Sequence, residues 1–257
     1  MGFRVDLNCD LGEAFTHSRR RMERRIVPYI TSVNVACGFH AGNPTLMVET
    51  VNIAKRNGVA VGAHPGFPDL AGFGRRQMDL SAAEVTNLMI YQVGALTSLA
   101  QTAGARLQHV KPHGALYNGA NTSEDIAFGI ISAMKQLNQN LILFTMAGSK
   151  MARTAIDSGI RVAQEVFADR AYDPDGYLSS RRNRGAVISN PEIVAERAVK
   201  MIKERKVTAL NGASLKFPKV DTVCLHSDTL NAPKIAKAVR EAFLKEGIDT
   251  IPVGAFV

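Results

Sequence analysis

A chain of 257 residues, 46% hydrophobic and 21% charged with a mean hydropathy of −0.02, has enough apolar material for a large core and too little bias for extended disorder. The formal charge of +8 lies largely in "RRRMERR" (19–25) and "RRNR" (181–184), which read as a solvated loop or a subunit contact; without tryptophan or a nucleic-acid module, DNA and RNA are not expected partners. No apolar run approaches the ~20 residues of a membrane span. Arg4 and Asp6 interrupt any secretion signal, and Cys9, Cys37 and Cys224 are too scattered for a disulfide framework or zinc knuckle, so a cytoplasmic, reducing location is expected.

The first strand is expected over "FRVDLNC" (3–9), where the period of two puts Asp6, Asn8 and Asp10 on one face. Acidic groups there are costly to bury unless paired or bound to a ligand. A buried polar network is one reading; Asp10 and Glu13, nearest the strand end, are best placed to meet a substrate. A second strand, "TSVNVAC" (31–37), carries Asn34 and runs into "ACGFHAGNP" (36–44), where two glycines flank His40 and let backbone approach a ligand. Cys37, three residues before that histidine, reads as a small buried hydrophobe rather than a nucleophile. A helix follows from Pro44 to a cap at Gly58.

The third strand, "VAVGAH" (59–64), ends in His64, and its loop finishes in Arg75 and Arg76, whose planar forks suit a carboxylate or phosphate; for Arg76 a local salt bridge serves equally well. The next helix opens with the Ser81 to Glu84 capping box. Strand "RLQHVK" (106–111) leads into "KPHGALYN" (111–118), whose Lys111 and His113 lie two apart across Pro112. If the chain stays extended, both look into one cavity, a fixed positive charge beside a proton carrier.

Strands at 140–146 and 161–167 precede "EVFADRAYDPDG" (165–176), with Glu165, Asp169 and Arg170, and a long connection over about 169–190 that reads as a lid or partner contact. A strand at 221–226 ends in "CLHSD" (224–228), with His226 and Asp228, and a last one is expected at 250–253. Strand and helix alternating in this way imply a parallel sheet. An open doubly wound sheet and a closed barrel both satisfy the pattern. Polar residues at the ends of many different strands favour the barrel, with active groups converging on its C-terminal mouth.

His40, His64, His113 and His226 with several carboxylates could hold a divalent metal, yet H-x-x-x-H and similar ligand pairs are absent, and the metal stays open. No phosphate-cradling glycine loop occurs, "AGSK" (147–150) lacking the upstream glycine.

With these residues assembled, the chain resembles the LamB/YcsF family through "DLNCDLGEAF", "SVNVACGFHAGNP", "GAHPGFPDLAGFGRRQMDLS", "YQVGAL", "HVKPHGALYN", "EVFADRAY" and "CLHSD", close to its whole length. The resemblance implies one α/β domain over 1–257, an irregular (β/α) barrel of seven or eight parallel strands akin to glycoside hydrolases and polysaccharide deacetylases. It implies ATP-dependent opening of the 5-oxoproline lactam to L-glutamate, performed with subunits B and C of a 5-oxoprolinase that hold or share the ATP. A homo-oligomer is also open.

On the matched positions, Asp10, His64, Lys111 and His113 are expected to be catalytic, neutralising developing charge, activating water and moving a proton to the departing ring nitrogen. Asn8, Glu13, Asn34, His40, Arg75, Asp169, Arg170, His226 and Asp228 are expected to bind the small anionic lactam. The chain departs from the family's usual pattern at Asn43 (HAGDP), Val33 (SAN), Ser227 (HGD) and Thr16, where a glycine is usual. Those changes could alter substrate preference or partner docking. The rivals are a stand-alone metal-dependent amidohydrolase or deacetylase, a related protein for another lactam, and a scaffold subunit without chemistry.

Overall fold

Alternation along β1 (Phe3–Leu11) sends Val5, Leu7, Cys9 and Leu11 outward into the apolar core and Asp6, Asn8 and Asp10 into the interior of the sheet; all are buried. The computed structural model describes residues 2–257. From β1 the parallel sheet runs through β2 (Ser32–Ala36), β3 (Ala60–His64), β4 (Leu107–Val110), β5 (Ile142–Met146) and β6 (Val162–Phe167). A short antiparallel hairpin, β7 (Lys206–Thr208) and β8 (Ser214–Lys216), stands apart. The sheet resumes with β9 (Thr222–His226), which pairs with β6 and, from Asp6↔Thr222 to Asp10↔His226, with β1. Seven parallel strands therefore close into a barrel, which removes sheet edges and rules out the open doubly wound alternative.

The crossovers are α1 (His17–Ile26), α2 (Pro44–Arg56), α3 (Ala82–Thr102), α4 (Gly114–Gly119), α5 (Glu124–Gln136), α6 (Lys150–Asp157), α7 (Pro191–Lys203) and α8 (Ala232–Lys245). Their starts follow local chemistry. Asn43, Ser81, Ser123, Ser149 and Asn190 each accept a backbone N–H of the first turn, satisfying donors the helix leaves open. Helices α3 and α5 meet where Gly129 lies against Val85: a Cβ at 129 would fall 2.5 Å from the Val85 Cβ. None of the helices described is long and apolar enough to cross a membrane.

Three local expectations are corrected. Residues 19–25 form most of α1 rather than a solvated loop, capped by Thr16, with Arg24 and Arg25 at the favourable C-terminal end of its dipole. Its buried Glu23 accepts from Gly12 N (3.1 Å) and Glu13 N (3.2 Å), tying the helix to the loop after β1. The last strand is β10 (Ile248–Thr250), earlier than 250–253, because Pro252 has no N–H for a ladder; it pairs only with Phe3–Val5. The β7–β8 hairpin had no counterpart in the strand pattern, being three polar-flanked residues on each side.

The barrel floor is polar and held by side-chain hydrogen bonds. The Asp6 carboxylate accepts from the hydroxyls of Thr31 (2.8 Å), Ser32 (2.5 Å) and Thr222 (2.5 Å). Above it His109 stacks on Phe144 with centroids 4.1 Å apart, and its Nε2 meets Asn34 Oδ1 at 2.7 Å. Gly62 makes room for that ring, since a Cβ there would lie 2.1 Å from His109 Nε2. Asp6 is thus part of the scaffold, as the buried-network reading of the first strand expects.

Candidate active site

A cavity of about 590 Å³ opens at the C-terminal mouth of the barrel. Its floor is made by Asp10, Glu13, His64, Lys111 and His113, and its far wall by Phe167, His226 and Asp228. The long connection supplies a roof through Leu178 to Arg182, held by Arg170, which donates to Ser179 O (2.6 Å) and Ala186 O (3.2 Å). Backbone bonds from Lys111 N to Ala63 O and from His113 N to Pro65 O keep the chain extended past β4, so Lys111 and His113 both face the cavity across Pro112.

Lys111 is buried, its Nζ 2.9 Å from Glu165 Oε1, 3.2 Å from Asp10 Oδ1, 3.3 Å from Asn8 Oδ1 and 3.0 Å from Cys224 Sγ. Burial alone would lower the Lys111 ammonium, but Asp10, Cys224 and Glu165 outweigh it and hold it above its ordinary value. Burial likewise opposes ionisation of Asp10, and Lys111 foremost reverses this, keeping the carboxyl well below the usual range. Asn34 Nδ2 donates to Asp10 Oδ1 and Asn8 Oδ1, both at 2.7 Å, and Asn8 Nδ2 donates to Glu165 Oε1 at 2.9 Å. Asn8 and Asn34 lie beneath the cavity and orient its carboxylates.

Beside this pair stand three imidazoles. His40 and His113 are stacked with centroids 3.7 Å apart, and His64 lies edge-on to both. Glu13 Oε1 is 3.0 Å from His40 Nε2, 3.4 Å from His113 Nδ1 and 3.8 Å from His64 Nε2. Burial lowers His40 and His113 to about 3 and His64 well below its ordinary value, so the rings are neutral near pH 7. Burial also pushes Glu13 up to about 7. His40 itself is sealed from the cavity behind His113.

At the rim, Asp169 accepts from His226 N (3.0 Å) and Thr229 Oγ1 (2.9 Å) and pairs with His226 Nδ1 (2.9 Å). Asp169 is therefore set back from the wall and fixes the His226 ring. Arg75 reaches Asp228 at 2.9 Å, and Arg181 reaches the other oxygen of the same carboxylate at 3.2 Å. Arg76 is engaged by Asp69, the local salt bridge expected as its alternative. The Cys37 thiol donates to Val35 O at 3.2 Å, and burial pushes it up to about 12, which removes it as a nucleophile.

Two groups to which the sequence reading gave no role join the site: Glu165, noted there only among the carboxylates, and Tyr117, which lines the cavity. Glu165 joins the lysine centre from β6, and Tyr117 on α4 donates to Glu165 Oε2 at 2.9 Å. A carboxylate inside an apolar strand and a tyrosine one helical turn after His113 were the available signals. Two groups bring donor atoms within 4.8 Å of one another: Glu13 with His40, His64 and His113, and Asp10 with Cys224 and His226. Lys111 already supplies a cation to the second. The floor therefore offers a buried cation, an ionised carboxylate and neutral imidazoles, enough to bind an anionic amide and move protons about it.

The chain is 48% identical over 254 residues to the A subunit of the 5-oxoprolinase of Pyrococcus horikoshii, covering 99% of both. It is 50% identical over 245 residues to that of Heliobacterium modesticaldum, covering 95% of this chain and 96% of the relative. Among solved structures, a lactam utilization protein from Thermus thermophilus superposes with a TM-score of 0.88 at 44% identity, covering 97% of this chain and 99% of the other. A putative cellobiose-phosphate cleavage protein of Enterococcus faecalis V583, at 14% identity and a TM-score of 0.58 with both chains fully covered, shares the fold alone. The LamB/YcsF family model matches residues 5–257, every strand and helix of the barrel and every wall of its mouth, and the chain belongs to the LamB/YcsF family.

Proposed function

We infer that this chain is the A subunit of an ATP-dependent 5-oxoprolinase, which opens the 5-oxo-L-proline lactam to L-glutamate as ATP becomes ADP and phosphate. The observation that carries this reading is likeness at 46–50% identity over nearly full length to proteins named as the A subunit of 5-oxoprolinase, running through every segment that lines the cavity.

The chemistry gives each wall a task. An unstrained lactam is a stabilised amide, so opening it at neutral pH needs activation, and phosphorylation of its carbonyl oxygen supplies that. Water then adds to the carbonyl carbon, the ring C–N bond breaks, the nitrogen leaves with a proton as the amine, and a second water hydrolyses the γ-glutamyl phosphate so formed to glutamate and phosphate. Lys111 balances negative charge developing on the oxygen. Ionised Asp10, hydrogen-bonded to Lys111, takes the proton of the attacking water and returns it to the departing nitrogen, with His64, 3.5 Å from Asp10, and His113 positioning water and ring beside it. Arg75 faces the substrate carboxylate at the rim, with Glu13, His226 and Asp228 shaping the pocket around the ring. ATP is held by, or shared with, subunits B and C, in keeping with the missing phosphate loop.

The test is glutamate formation from 5-oxoproline and ATP by this chain alone, by its B and C subunits alone, and by all three. Product from the full mixture only, lost with His113→Ala, is the expected result. No product from three subunits shown to associate would overturn 5-oxoproline as substrate. Another lactam would then be the reading, and Ser227, a departure from the family pattern that lines the cavity, is the observation favouring it.

A further inference from the structure

We propose that Glu13, His40, His64 and His113 together hold one divalent transition-metal ion of the zinc type against the cavity floor. Two of the four donor atoms have no proton of their own. A backbone carbonyl carries no hydrogen, so an imidazole nitrogen bonded to one must be the donor. His64 Nδ1 lies 2.6 Å from Lys111 O, and His113 Nε2 lies 2.8 Å from Phe73 O. In a neutral imidazole the other nitrogen is then a bare acceptor. His64 Nε2 and His113 Nδ1 are those acceptors, and they face each other at 3.0 Å.

Two lone pairs at that separation, with Glu13 Oε1 3.4 Å from one and 3.8 Å from the other, repel in a buried site unless a cation sits among them. His40 Nε2 completes the group at 3.0 Å from Glu13 Oε1. The His40 ring is fully buried and its Nδ1 has no partner among the described residues, so hydrogen bonding alone gives no reason for this placement.

The spacing suits an ion. These separations, 3.0 to 3.8 Å, bracket the edge of about 3.3 Å that a tetrahedral set makes with bonds of about 2.0–2.1 Å. Three imidazoles with one carboxylate select zinc, nickel, iron or copper over magnesium or calcium, which prefer all-oxygen shells. The carbonyls of Lys111 and Phe73 already hold the His64 and His113 rings in the ligating tautomer, and Glu23 fixes the backbone of Glu13. Three of the four ligands line the cavity, so an ion here would share it with Lys111.

One other occupant answers the same contact: a single proton shared by His64 and His113, at the cost of a buried imidazolium. The inference goes beyond the oxoprolinase reading and concerns only this chain's side chains. Its test accordingly uses the full chain without ATP, lactam or partners.

Chelator-stripped protein is titrated with Co²⁺ and then Zn²⁺, reading bound metal by mass spectrometry and the visible absorption of cobalt. One equivalent of cobalt with tetrahedral-type absorption, displaced by zinc, is expected. Affinity should fall more than about 100-fold in His64→Ala and Glu13→Gln, given that supporting partners alone are worth about 10–100-fold. His17→Gln, at an exposed histidine, should leave it unchanged. Circular dichroism checks each variant, and if a variant unfolds, wild-type stoichiometry and spectrum decide. Substoichiometric uptake by the wild type, or folded variants that bind as tightly, would overturn the metal and leave the shared proton.

Discussion

Lys111 Nζ, just past the end of β4, lies 2.9 Å from Glu165 Oε1 on β6, two strands on round the barrel, with both side chains buried. Removing one member of a buried pair leaves an uncompensated charge, which costs about 3–5 kcal/mol. Lys111→Met, which strands Glu165 and Asp10, should lower the unfolding free energy measured in urea by that order, and Glu165→Gln, which leaves Lys111 paired with Asp10 at 3.2 Å, by less. The double variant should lose less than the sum, because it removes one of the two carboxylates that Lys111→Met strands. Strict additivity in the double-mutant cycle would show that the two charges do not support each other.

Asp10 is the carboxylate of this centre with a cavity face. Asp10→Asn keeps an oxygen for Lys111 and Asn34 and loses the base. Turnover by the assembled subunits should fall about 10²–10⁴-fold, the usual worth of general base catalysis, with little change in circular dichroism. Near wild-type turnover would place the base elsewhere in the floor.

His109 gives a pH signature separate from the reaction. Burial holds it at about 3, against 6.5 for a free imidazole. Between those values the unfolded chain binds a proton that the folded chain refuses, so stability is full above pH 6.5 and falls as the pH drops toward 3. The slope is about 1.4 kcal/mol per pH unit for one such group. Asp6, raised by burial to about 6 from 3.8, acts with opposite sign, favouring the folded state at low pH and losing that advantage as the pH rises between those values. His109→Gln should flatten the decline in urea stability from pH 6.5 downward by up to that slope. An unchanged slope would mean that the ring is not buried neutral.

Much of this architecture is written in local patterns. Alternation in β1, caps at Asn43 and Ser81 and the extended Lys-Pro-His stretch act within a few residues, and barrel, helix starts and two floor residues are legible from them. The pairings that decide roles are not local. Glu165 meets Lys111 only because the closed sheet turns β6, two strands on from β4, toward the same interior, and no spacing between them encodes that. The same holds for Asn8, Asn34, His40 and Asp169, whose chemistry marked them for substrate while the closed sheet sets them behind the wall. Family departures sort by place as well. Asn43 and Thr16 cap helices, where asparagine, aspartate and threonine serve alike, and Val33 faces the apolar core; Ser227 lines the cavity.

Asp228 holds Arg75 at 2.9 Å and Arg181 at 3.2 Å, joining the β3 loop and the roof across the mouth. Burial would raise Asp228, but His226 and Arg181 outweigh it, with Arg75 adding to them, and it stays ionised down to about 2. Arg75 is the exposed partner of the pair, with 40% of its side chain in solvent, and can exchange Asp228 for a second carboxylate without unburying anything. An anionic lactam entering the mouth should therefore be caught by Arg75 while Arg181 keeps the roof tied down. A charge-assisted hydrogen bond of about 1.5–3 kcal/mol translates to roughly 10–100-fold in binding. Arg75→Ala should raise KM by that factor with kcat nearly unchanged, and Arg75→Lys should recover part of it. A fall in kcat with KM unchanged would instead show that Arg75 acts on charge developing in the transition state.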